Sequence, residues 1–197
     1  MATYQETGMN IDYENVFSPQ EAVALQAIES AIRVSMTDSG MYPRGTPDAA
    51  SESRVSTDIS NRIEEHLAVG TTATRRRLLQ LLMMVGGERE GNIARRLILQ
   101  VLGTDPTNID PEQITDVTHA EMTLGNIGGP AAFQMLLSLR EHPNAAVAFV
   151  AGLEAARLYS QHPPRNGSDW GMAEHYADEE TDRRREFEEL YPDPRKL

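Results

Sequence analysis

The sequence predicts an all-α protein, a compact bundle of about six to seven helices. Three observations carry this. Apolar residues recur at three- and four-residue spacing in successive segments, as one buried helix face requires. Ser, Asp or Pro stands before these segments and Gly after them, which are helix start and stop signals. β-Branched residues are scattered, and no run alternates polar with apolar over several positions, so strands are not indicated. With 197 residues and 40% apolar composition, the chain is long enough to bury one core.

Residues 1–16 are polar and acidic and read as a flexible N-terminal arm. Ser18-Pro19-Gln20-Glu21 then has the form of a capping box with proline at the first helical position. It opens a helix to about Met36, with Ala22, Leu25, Ile28, Ile32 and Met36 on one face. Thr37 to Ser53, rich in Gly, Pro, Ser and Asp, reads as a long loop carrying Tyr42. A loop of this length within a domain points to binding, or to a partner lying against it.

A second helix is expected over Thr57–Val69, where Ile59, Ile63 and Leu67 stand four apart and Gly70 is the stop. A third, from about Ala73 to Val85, is apolar on nearly all sides and belongs at the centre of the core. A fourth is expected from about Asn92 to Leu102. A fifth, capped by Asp110 with Pro111 behind it, should run to about Leu124. Gly125 to Gly129 reads as a break. Pro130 opens a sixth helix that stops before Pro143, and a seventh covers about Asn144 to Ser160, its alanines and Gly152 permitting close helix approach. Phe133, Phe149 and Tyr159 fall on apolar faces and are expected in the core. After His162-Pro163-Pro164 the composition changes, so the helical domain is placed at 17–164 and an extended, charged C-terminal segment at 165–197.

The net charge of −12 and a pI near 4.8 disfavour nucleic acid and anionic membranes as partners. Lys196 is the only lysine beside 17 arginines, a composition that fits a salt-loving host or a GC-rich genome. Cysteine is absent, which removes disulfides, thiolate nucleophiles and Cys-ligated metals. Met1 to Asn15 lacks the basic and apolar regions of a secretory signal, and no apolar run is long enough to span a bilayer. A cytoplasmic location is the expectation.

Motifs with chemistry are few. Asp116 and His119 stand three apart on the fifth helix, the spacing of half a di-iron carboxylate site. No other histidine has an acid three residues before it, so a solvent-facing polar pair is the competing account. No serine elbow or phosphate loop occurs, and the acidic run Asp105, Asn108, Asp110, Glu112 lacks EF-hand spacing. Arg183-Arg184-Arg185 is flanked by acids and makes no nucleic-acid patch. No catalytic or cofactor-binding residue is therefore assigned. Trp170, Tyr176, Phe187 and Tyr191 stand in the polar C-terminal third, where aromatics either anchor an interface or pin the tail to the body. With Tyr42 they form the candidate partner-binding set.

Phe17-Ser18-Pro19-Gln20-Glu21 followed by Leu25-Gln26-Ala27-Ile28-Glu29-Ser30-Ala31-Ile32 resembles the opening of the gluconate 2-dehydrogenase subunit 3 family. The resemblance continues through the loop from Asp38-Ser39-Gly40 to Asp48-Ala49, the Ile59–Leu67 helix and the leucine-rich Arg75–Met84 helix. It ends at Leu158-Tyr159-Ser160-Gln161-His162-Pro163. The chain departs from the family in lacking a twin-arginine signal and in having Arg33-Val34 where Ile-Pro is usual. Ser168-Asp169-Trp170 echoes the usual Gly-Trp ending only loosely. The resemblance implies a non-catalytic small subunit that binds and stabilises a large FAD-dependent sugar or alcohol dehydrogenase. The flavin would then lie in that partner, and export, if any, would use the partner's signal. The alternative is a self-assembling structural protein of a virus or compartment shell, a homo-oligomer for which the acidic surface, N-terminal arm and long loop are equally suited.

Overall fold

A computed structural model describes residues 11–38, 45–103 and 109–160, together with the single residue Asp182. Among these the protein is all α-helical. The elements are α1 (Tyr13–Val16), α2 (Glu21–Asp38), α3 (Thr57–Val69), α4 (Thr72–Val85), α5 (Glu88–Leu102), α6 (Pro111–Ile127), α7 (Pro130–Leu139) and α8 (Ala145–Ser160). One isolated β-bridge, Ala50 with Gly128, is the only sheet-like pairing among the described residues.

The core is built on α4 and α6. Leu78, Leu79, Leu81, Leu82 and Val85 of α4 are fully buried, as its all-round apolar sequence predicts. Each such side chain contributes about 1.5–3 kcal/mol by leaving water. α4 packs against α2, α3 and α6, while α6 touches α4, α5, α7 and α8. Ala151, Ala155 and Ala156 of α8 are fully buried, which keeps that helix close to its neighbours.

Four expectations are corrected. Residues 13–16 are not part of an arm: they form α1, whose Val16 is buried and whose Tyr13 phenol is pushed up to about 12 by burial. That short helix also undoes half of the expected capping box: the Ser18 hydroxyl still accepts from the Gln20 N–H at 3.2 Å, but the Glu21 half is lost. Ser18 donates its N–H to the Asn15 carbonyl, and the Glu21 carboxylate accepts from the Thr71 hydroxyl at the start of α4. α5 starts at Glu88 rather than Asn92, because Glu90 reaches back to accept the Gly87 N–H at 2.7 Å and caps the helix earlier. α6 continues through Gly125, Asn126 and Ile127, so the break is confined to Gly128-Gly129, with φ of 75° and 92°. Glycine alone enters those conformations without strain. Packing outweighs the weak helix propensity of Gly125: Ile127 is buried, and Asn126 Nδ2 donates to the Met83 carbonyl at 2.7 Å.

The described part of the long loop serves the fold directly. A helix leaves its last carbonyls without intrahelical donors, and the loop supplies donors to two helices at once. Gly45 N–H reaches Asn126 O at 3.0 Å and Ser51 N–H reaches Ile127 O at 2.8 Å, closing α6. Arg54 N–H reaches Val85 O and the Ser51 hydroxyl reaches Gly86 O, both at 2.8 Å, closing α4. Gly129 N–H in turn donates to Thr46 O at 2.7 Å. The loop is thus a shared C-terminal cap.

Candidate functional site

The Asp116–His119 pair does not converge. Asp116 is buried, not solvent-facing, and its Oδ2 accepts from Arg75 Nε of α4 at 2.6 Å. Arg75 also donates to the Gly70 carbonyl at 2.7 Å, so one guanidinium ties α6, α4 and the end of α3 together. His119 turns its Nδ1 to the Thr115 carbonyl one turn back, at 2.9 Å. His66 does the same with Arg62 O at 2.8 Å, and its ring packs on Phe17. No group of three His, Cys, Asp or Glu able to hold a metal occurs among the described residues. Tyr42, Trp170, Tyr176, Phe187 and Tyr191 lie outside the described residues. Phe133, Phe149 and Tyr159 are half-buried rather than central, Phe133 and Tyr159 stacking with ring centroids 5.8 Å apart.

Two arrangements that sequence reasoning missed stand out. The first is a cleft of about 190 Å³ between the capping loop, α5 and the start of α7. Asp48, Glu88 and Arg95 line it, and Arg95 donates to Asn92 Oδ1 at 3.1 Å. Gly129 and Pro130 line it at the α6–α7 corner. Its loop wall and the Gly128-Gly129 corner are held by the capping bonds described above, and its other wall is α5.

The second is a set of buried carboxyls. Glu90 is fully buried, with its oxygens taken by the Ser60 hydroxyl and the Gly87 N–H. Glu154 of α8 is nearly buried and pairs with Arg157 one turn on. Glu121 of α6 is fully buried, and neither of its oxygens has a hydrogen-bond partner. Loss of water pushes its carboxyl well above the usual range, and the neighbouring Glu154 charge pushes it further. Glu121 stands four residues after Val117 and four before Gly125, all on the face that α6 buries. That row was the available signal: an acid in an otherwise apolar i, i+4 stripe.

No protein-family model, no curated protein and no solved structure matches this chain. No helix of the described residues is long and apolar enough to cross a membrane.

Proposed function

We propose that this chain is a non-catalytic helical small subunit that binds and stabilises a large FAD-dependent sugar or alcohol dehydrogenase, which holds the flavin. It would act in the cytoplasm, or be exported on the partner's signal. Its own resemblance to the subunit 3 family motivates the partner class. The observation that carries a binding role is the cleft beside the capping loop. Its shape is held by backbone hydrogen bonds at 2.7 to 3.0 Å, so little conformational freedom is left to lose on association. Of the polar residues that chemistry would recruit, Asp116 ties α6 to α4, Glu90 caps α5, and His119 bonds back to its own helix at Thr115 O.

The test is purification of the untagged protein from its native cells, followed by mass spectrometry and a flavin absorbance scan. A stoichiometric flavoprotein is expected. The double variant Asp48→Arg/Ala49→Arg changes two exposed residues at the cleft, where substitutions alter stability by only about 0.5 kcal/mol. It should lower recovery of the flavoprotein about tenfold while circular dichroism stays unchanged, a loss of about 1.4 kcal/mol in binding. Large assemblies containing only this chain would replace this reading with that of a self-assembling structural protein.

A further inference from the structure

A fully buried carboxyl whose two oxygens meet no donor cannot hold a negative charge cheaply, because nothing replaces the water it has lost. At Glu121 the surroundings add to that cost. Gly125, one turn on, is packed so tightly under Glu154 that a Cβ there would lie 2.1 Å from Glu154 Oε2. Glu154 therefore lies over the same stretch of α6 from which Glu121 projects, and the two acids face each other across the α6–α8 contact.

The other elements around α6 offer Glu121 no compensating charge. Arg75 of α4 is committed to Asp116. Arg76 of α4 has a buried Nε without a hydrogen-bond partner and gives none to Glu121. Glu90 of α5 is committed to Ser60 and Gly87, and Arg95 of α5 lines the cleft on another side. α7 carries no acidic or basic residue between Pro130 and Leu139. On α8, Arg157 is bound to Glu154. Glu154 is the charge acting on Glu121, and it is of the same sign.

We propose that Glu121 and Glu154 form a proton-operated clamp: while Glu121 carries its proton α6 and α8 stay packed, and its ionisation loosens α8 from the bundle. The carboxylic acid is neutral and so tolerated in the contact; the carboxylate sets two negative charges against each other where no water screens them. The sign follows from linkage. The folded form keeps its proton to higher pH than the unfolded chain, so the contribution is intact below the ordinary carboxyl value of 4.5. It is lost as pH rises from there through the raised folded value. Over that interval each pH unit raises the unfolding equilibrium constant by up to about tenfold.

The experiment compares wild type with Glu121→Gln by urea unfolding from about pH 5 to about pH 9, with hydrogen-exchange protection of the α8 amides measured alongside. The amide keeps the shape and cannot ionise. The variant should match wild type at the acid end and become at least about tenfold less unfolded at the alkaline end, with α8 protection retained. Parallel curves for the two proteins across the range would overturn the clamp. Should the variant not fold, infrared spectroscopy of wild type decides. A protonated-carboxyl stretch that persists to higher pH than an ordinary carboxyl and is lost as pH rises further is expected, and its loss already around the ordinary value of 4.5 would equally overturn the clamp.

Discussion

The two sides of α6 solve the burial of polar groups in opposite ways. Toward α4, most donors and acceptors meet: Arg75 holds Asp116 Oδ2 at 2.6 Å, the Thr123 hydroxyl donates to Leu79 O at 3.1 Å, and Asn126 Nδ2 donates to Met83 O at 2.7 Å, leaving Asp116 Oδ1 and Arg76 Nε as the buried atoms without a partner. These three ties, spaced along the helix, fix the register of α6 against α4. Toward α8, Gly125 lies directly under Glu154, and Glu121 is buried without a donor. An interface whose charges are paired holds one geometry over a wide range of conditions. An unsatisfied one is stable only in one protonation state.

The largest effect expected from breaking this contrast is at Arg75. Arg75→Met leaves the Asp116 carboxylate buried without its cation and should cost about 3 kcal/mol or more in urea unfolding, whereas Arg75→Met/Asp116→Leu should recover most of that loss. Near-equal stability of the single and double variants would mean that the ion pair does not organise the α4 side. A smaller effect is expected on the α8 side. Gly125→Ala pushes a Cβ into Glu154, 2.7 Å from its Cβ, and should cost roughly 1–3 kcal/mol by forcing the helices apart. Adding Glu154→Ala should give back part of this, so the pair will be non-additive; strict additivity would show that the crowding lies elsewhere. Smallest is Thr123→Val, which removes the hydroxyl shared between Leu79 O and His119 O while keeping shape and should lower stability by about 1 kcal/mol, measured as a shift of the urea midpoint without a change of slope.

The bundle was readable in the sequence wherever local chemistry decided it. α3 covers the predicted Thr57–Val69 with Ser56 as its cap and Gly70 as its stop, and α6 begins behind the Asp110–Gln113 capping box at Pro111. Expectation failed where a distant residue competed for a local group. Ser18 and Glu21 have capping-box spacing, but Glu21 is drawn to Thr71, fifty positions away. Gly125 has the composition of a break, but the space between α6 and α8 calls for a residue without a side chain inside a helix. The same holds for the candidate site. Asp116 and His119 have metal-ligand spacing, yet Arg75, forty-one positions earlier, takes the carboxylate. Spacing shows which residues share a helix face, not which other helix meets that face.

The capping loop has a consequence for the order in which the molecule is assembled. Its acceptors are the terminal carbonyls of α4 and α6, and the bond from Gly45 to Asn126 joins residues remote in sequence. Closing so long a chain segment is entropically costly until the intervening helices have brought its ends together. Residues 45–54 are therefore expected to dock after α4 and α6 have paired. Resistance of this stretch to proteolysis reports completed assembly, where helix content alone does not.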